Sequence, residues 1–274
     1  MSIGNDELTL LIMNGRLFIS LCVASLILPG CRNTFNGNRA DKSQTSCIEN
    51  GHTYVDLGLS VRWATCNVGA ETPDDYGNHF AWAETSAKSS YDWANLKYCH
   101  SDMNLSLSKY ITEPIEKAAL PEGYDWSKTD SPIYFEDLIA LAVAKNSFPS
   151  DGKKELEASD DAASVNWGGS WRMPTRDEWL ELFEKCTWNW TTSNGVCGHV
   201  VTSKINGNSI FLPATGLRYG QDILYEGTQG YYWCSSLESE NPWQACSVYS
   251  NRSAANMGSC DRYIGLSVRP VCAQ

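Results

Sequence analysis

The residues with most chemistry to offer in this chain of 274 are its eleven cysteines and four histidines. A thiol can attack a substrate, ligate a metal or close a disulfide, and its neighbours decide which. No C-x-x-C pair occurs, and His52, His79, His100 and His199 are scattered. No Ser–His–Asp or Cys–His arrangement can be read from such spacing, so no catalytic group is assigned. Cys99–His100 is a lone neighbouring pair, whereas a structural zinc site needs four convergent ligands. The residues therefore predict no metal and no cofactor. The formal net charge of −11 excludes a nucleic-acid partner, which would need a basic face to neutralise phosphates.

Cys31 stands apart by its context. Leu17–Leu28, "LFISLCVASLIL", is an uncharged and mostly apolar run behind Arg16. It is short for a bilayer span and suits a signal-peptide core. "LPGC", Leu28–Cys31, follows and resembles the lipobox of bacterial lipoproteins, with Pro29 in place of the usual residue. The resemblance implies that residues 1–31 are a signal peptide and that Cys31 is lipidated. The protein would then be held to a membrane in the cell envelope, as an outer-membrane lipoprotein. The acidic "MSIGNDELTLLI" fits a signal poorly and favours Met13 as the start. Arg32–Asn50 is polar and rich in Asn and Ser, and reads as a flexible tether. With Cys22 and Cys31 set aside, nine cysteines remain, so at least one thiol has no disulfide partner within the chain.

A second kind of chemistry, recognition by contact, is suggested by Cys246–Pro270, "CSVYSNRSAANMGSCDRYIGLSVRP". Lys and Glu are spread through most of the chain, yet neither occurs between Cys246 and Ile264. Tyr offers contact area at low entropic cost, and Ser and Asn offer adaptable hydrogen bonds. Such a stretch is a mobile polar tail, a set of ordinary strands, or a surface built to be altered.

The elements that would position it are partly legible. "YVDLGLSVRWATCNVGA" and "YGNHFAWAET" read as strands. Tyr134–Lys145 reads as an amphipathic helix, and "DGKKELEASDDAASVNW" as a charged loop ending in a short helix. In "WRMPTRDEWLELFEKC", Thr175 and Glu178 stand at capping-box spacing, and Trp179, Leu182 and Phe183 then share a face, predicting a helix over 176–186. "HVVTSKINGNSIFLPA" predicts a hairpin turning at Asn206–Gly207 in a type I′ turn. "GLRYG", "GTQGYYWCSS" and "GLSVRPV" are Gly-punctuated strand pieces.

Six stretches in fixed order carry a family resemblance: "DLGLSVRWATCNVGA", "YGNHFAWAET", "DDAASVNWGGSWRMPTRDEW", "FLPATGLRYG", "GYYWCSS" and "GLSVRPV". Together they resemble exported Bacteroidetes lipoproteins related to the Fibrobacter succinogenes major paralogous domain. Ile111–Ser150 departs from the pattern as an insertion. The resemblance implies an α+β, C-type-lectin-like domain over 51–274, in the branch shared with formylglycine-generating enzymes, with a small twisted antiparallel sheet and few helices. That branch includes the variable proteins of diversity-generating retroelements, whose C-terminal segment is rewritten at template adenines, chiefly in Asn codons. Residues 234–264 are similar to such a variable region. Changing only the adenines of an Asn codon never yields Lys, Glu, Gln, Met or Trp, and of these only Met257 occurs between Cys246 and Ile264.

The function expected from the resemblance is an adhesion-type lipoprotein that displays a diversified surface to a protein or glycan ligand. The expected ligand-binding residues are Cys246, Ser247, Tyr249, Arg252, Ser253, Asn256, Ser259, Cys260, Asp261, Tyr263 and Ile264. Trp233, Val248, Met257, Arg262, Gly265 and Val268 would hold the scaffold. The alternative is an undiversified structural or glycan-binding domain of the same fold. Calcium-dependent sugar sites of lectins use Glu-Pro-Asn, Gln-Pro-Asp and Trp-Asn-Asp; "TEPIE" at Thr112–Glu116 lacks the Asn. Formylglycine-generating relatives use a closely spaced Cys pair, and Cys246 and Cys260 are far apart in sequence.

Overall fold

The computed structural model describes residues 47–99, 107–111, 151–238, 241 and 243–274. The apolar run Leu17–Leu28, Cys31, most of the tether, the helix expected over Tyr134–Lys145 and nearly all of the Ile111–Ser150 insertion lie outside them.

The chain opens with β1 (Cys47–Glu49) and β2 (His52–Val55), an antiparallel pair. The last residues of the expected tether therefore belong to the domain. Asn50 and Gly51 both take left-handed backbone (φ 45° and 84°), as a two-residue type I′ turn requires. β3 (Val61–Ala64) adds to β2, and β4 (His79–Phe80) follows the loop over 65–78. A single 3₁₀ turn spans Trp93–Asn95.

Two α-helices occur among the described residues. The first, α1 (Ala162–Trp167), starts where the Asp161 side chain accepts the Ser164 N–H. In α2 (Arg176–Lys185), Thr175 and Glu178 form the reciprocal capping box, and Trp179 and Leu182 are buried, as the spacing predicts.

Ten further strands complete the fold. β5 (Cys186–Ser193), β6 (Val196–Ser203) and β7 (Ser209–Pro213) make one antiparallel sheet. β8 (Leu217–Tyr219) and β9 (Asp222–Leu224) make a small hairpin. β10 (Gln229–Leu237), β11 (Gln244–Asn251), β12 (Ala255–Asp261), β13 (Leu266–Ser267) and β14 (Val271–Ala273) follow. The five-stranded sheet has the order β12-β11-β10-β13-β4, and the four-stranded sheet β1-β2-β3-β14. All pairings are antiparallel except β10 with β13. The described part is thus mostly β-sheet with few helices, consistent with a small α+β or mostly-β fold.

The expected hairpin of β6 and β7 forms, but its turn differs. Gly207 is left-handed (φ 80°) and Asn206 is not. The Asn206 side chain instead donates to the Asp56 carbonyl at 3.0 Å, joined by Asn208 at 2.8 Å. The type I′ turn lies one hairpin earlier, at Asn194–Gly195 (φ 46° and 88°), between β5 and β6.

The five-stranded sheet is sandwiched by two buried clusters. On one face lie Trp82, Tyr110, Trp171 and Trp233, and on the other Trp63, Trp179, Tyr232 and Val248. Indole donors stitch the layers: Trp233 Nε1 donates to the Phe80 carbonyl at 2.7 Å, and Trp82 Nε1 to the Cys234 carbonyl at 2.8 Å. Arg269 is fully buried with no carboxylate beside it. Its guanidinium donates to the Asn67 side chain and to the carbonyls of Ala64, Thr65 and Phe211, tying the C-terminal strand region to two other sheets.

Candidate ligand-binding surface

The segment from Cys246 to Ile264 is ordered. β11 and β12 pair without a bulge from Gln244↔Asp261 to Ser250↔Ala255. Their connection is closed by the Asn251 side chain, which accepts the N–H groups of Ser253 (2.8 Å) and Ala254 (3.0 Å). The hairpin tip is also held from outside. His199 on β6, set edge-on between Trp188 and Trp190, places Nε2 2.9 Å from the Asn251 carbonyl. The mobile-tail reading is thereby excluded.

Strand alternation divides the expected site residues between two faces. Ser247, Tyr249, Asn256 and Cys260 fall on the face shared with Tyr231 and Trp233, by their register. Cys246, Ser259 and Asp261 fall on the opposite face, towards α2 with Val248 and Met257. Arg252 and Ser253 are exposed in the connection.

Three of the expected contact residues are buried. Cys246 and Ser247 are each 2 % exposed, because β11 lies inside the sheet and is covered on both faces. The Cys246 Sγ lies 3.5 Å from the Leu237 carbonyl, and burial pushes its thiol up to about 11. Tyr263, 2 % exposed, lies past the end of β12, with its ring centroid 4.8 Å from that of Trp93 and 6.0 Å from that of Tyr219. Ile264 is half-buried against the same residues. Cys260 is half-buried, and desolvation likewise raises its thiol to about 11. Neither thiol in the segment is an exposed nucleophile. Of the scaffold residues, Trp233, Val248, Arg262, Gly265 and Val268 are buried, and Met257 is half-buried.

What remains outward is a row across three strands. Tyr231 stands opposite Tyr249, which stands opposite Asn256. The two rings are 5.3 Å apart, and Tyr225 extends the row, 6.4 Å from Tyr231. The Tyr231 hydroxyl donates to the Gln229 side chain at 2.7 Å, and the Asn251 amide to the Tyr249 hydroxyl. Burial raises the Tyr231 phenol above its ordinary value, so it stays protonated and able to donate. Sequence reasoning missed Tyr231, although period-2 alternation in "GYYW" places it on the face opposite the buried Tyr232.

Tyr225 was also missed. It is 50 % exposed and left-handed (φ 61°), an uncommon backbone for an aromatic residue. Its carbonyl accepts the N–H groups of Thr228 and Gln229 and the Thr228 hydroxyl, which hold the conformation. Ile223 and Leu224 beside it are also exposed. No local sequence pattern marks this strained rim.

The floor beneath is fixed by charge as well as packing. The Arg262 guanidinium donates to the carbonyls of Lys109 and Tyr110 and stacks over Trp82 at 4.6 Å. Asp160, 1 % exposed, accepts from Lys97, Lys109, Tyr98 and Tyr110. Burial alone would raise its pKa, but these four donors hold the carboxyl well below the usual range. The Asp151 carboxylate accepts the N–H groups of Tyr110 (2.7 Å), Ile111 (2.8 Å) and Lys153 (3.2 Å), closing the root of the insertion.

Among the described residues, no group of three or more His, Cys, Asp or Glu converges as a metal site. No described helix is long and apolar enough to cross a membrane. Compared with known protein families, curated proteins and solved structures, the chain matches none.

Proposed function

We propose that this chain is an envelope-anchored, ligand-binding lipoprotein of C-type-lectin-like fold, whose β11–β12 hairpin displays a diversified surface. One observation carries the reading. Tyr249 and Asn256 on one face of an unbroken hairpin extend Tyr231 of β10 into a Tyr–Tyr–Asn row, while the opposite face of β11 is locked in the core. Residues can change on the outward face without moving the backbone that presents them. The contact set is then Tyr249, Arg252, Ser253 and Asn256, with Tyr225 and Tyr231 as fixed aromatic neighbours. Tyr rings of this kind are typical binding hot spots. Cys31 would supply the anchor, with acyl chains holding the domain at the membrane. The raised pKa values of Cys246 and Cys260, both set first by burial, favour this reading over a thiol enzyme.

Sequencing the DNA around the coding region tests it. The expected finding is a near-copy of the segment encoding Cys246–Ile264, differing at adenines, beside a reverse transcriptase gene. Among sibling cells, substitutions should fall at Tyr249, Arg252, Ser253 and Asn256 and spare Trp233 and Val248. No template, and no variation at those positions, would remove the diversification claim.

A further inference from the structure

We propose that the outer edge of β12 pairs antiparallel with β12 of a second copy of this chain, joining two five-stranded sheets into one. Four observations converge on that edge. Among the described residues β12 ends its sheet, with β11 as its strand partner. Asn256, Gly258 and Ser259 along it are exposed. Sheet edges are normally blunted by Lys, by Pro or by a bulge. β12, "ANMGSCD", carries no Lys or Pro, and its register is unbroken.

Next to the edge, on the α2 side, runs an open apolar groove of about 440 Å³ lined by Leu180, Phe183, Trp188, Ala255, Asn256 and Met257. Its wall is preformed, since the rings of Phe183 and Trp188 stack at 4.7 Å. Leu180 lies outside the buried Trp179/Leu182 stripe of α2 and is 37 % exposed.

The occupant is fixed by self-complementarity. A two-fold axis perpendicular to the sheet makes an isologous contact in which each strand meets its own copy. Centred on Met257, it sets the two Met257 side chains together over the paired grooves. The same axis brings Asp261 of each copy beside the Arg252–Ser253 connection of the other. Opposite charges therefore flank β12, Arg252 in the connection before it and Asp261, which also accepts from Gln244 Nε2 at 3.0 Å, at its last residue, in the arrangement an antiparallel self-pair needs. The proposal also gives a role to the face holding Ser259 and Asp261, which the ligand row does not use. Because the axis preserves sheet faces, both Tyr231–Tyr249–Asn256 rows would point the same way. That would make the dimer bivalent towards a ligand presented on a surface.

Sedimentation velocity over a wide concentration range tests this, on the full chain carrying Cys31→Ser so that acyl chains cannot cluster it. The expected result is a dimer that dissociates on dilution. Met257→Lys should abolish it, with thermal melts checking that the monomer stays folded. Arg252→Glu and Asp261→Arg should each weaken it about tenfold, since each turns two attractive contacts per dimer repulsive. The double variant should restore it. Arg252, in the connection before β12, and Asp261, at its far end, are separated by a strand about 23 Å long, so recovery can arise only between copies. A monomer at every concentration overturns the proposal. So does a dimer indifferent to Met257→Lys, or charge reversals that fail to rescue one another.

Discussion

Tyr249 stands half-buried on β11, where its ring meets Tyr231 and its hydroxyl meets Asn251. Tyr263, in the same segment, is 2 % exposed and packs between Trp93 and Tyr219. Composition treats the two alike, and neighbours in space decide their roles. Tyr249→Ala should cost at most about 1 kcal/mol, because it opens no enclosed cavity. Tyr263→Ala should cost roughly 3 kcal/mol, close to Trp233→Ala, because each leaves a cavity the core cannot refill. Urea melts of the three variants check the order. A Tyr249→Ala variant as unstable as Trp233→Ala would place the Tyr row in the core and end the surface reading.

At the scale of elements, local rules succeed where the signal is self-contained. The capping box and apolar stripe of α2 are both satisfied within the helix and against its nearest layer, so Thr175, Glu178, Trp179 and Leu182 are legible. Asn-Gly turns are a harder case, because three of them fall among the described residues. At Asn50–Gly51 and Asn194–Gly195 the tight turn forms, although the Asn50 amide also donates to the distant Trp167 carbonyl. At Asn206–Gly207 the strands stop earlier, at Thr202 and Ser209, and the longer connection is held by the buried Ser203 hydroxyl, which accepts the Ile205 and Asn206 N–H groups. The same limit hid the candidate surface. Alternation on β11 and β12 is visible in sequence, but which face is covered depends on layers contributed by residues far away. Gly195 supplies the element-scale prediction. At φ 88° with open space around it, Gly195→Ala meets no clash but pays the left-handed penalty. The expected loss is roughly 1 kcal/mol by chemical denaturation. A neutral result would mean that the β5–β6 turn tolerates another geometry.

For the whole molecule, acid stability should be set by buried imidazoles before carboxylates. His79 is buried with Nε2 3.1 Å from the Thr215 carbonyl, and desolvation lowers its pKa to about 4. His199 is shifted the same way by the same cause. A base whose folded pKa lies below its unfolded value gives stability that is complete above pH 6.5 and lost as pH falls. For His79 alone the loss between pH 6.5 and 4 is about 3 kcal/mol. Asp160, depressed by its donors, keeps its contribution through that window and surrenders it only below the ordinary carboxylate range. Unfolding free energies measured from pH 7 to 4 should fall accordingly, and His79→Gln should flatten the slope. An unchanged slope in that variant would assign the acid sensitivity elsewhere.

The clasp at Asp151 has a consequence for how the chain can change over generations. One carboxylate gathers the amides of Tyr110, Ile111 and Lys153, and the Ile111 carbonyl accepts the N–H groups of Asp151 and Gly152. The described structure thus brings Ile111 and Asp151, the two ends of the 112–150 stretch, together at one point. Closing a longer excursion through such a gate adds only about 0.6 kcal/mol for each doubling of its length. By loop closure alone, then, a change in the length of chain between the two clasped ends costs the scaffold little. Two rates of evolution can then coexist in one gene: point change on the outward face of a fixed hairpin, and wholesale gain or loss of sequence at a single seam.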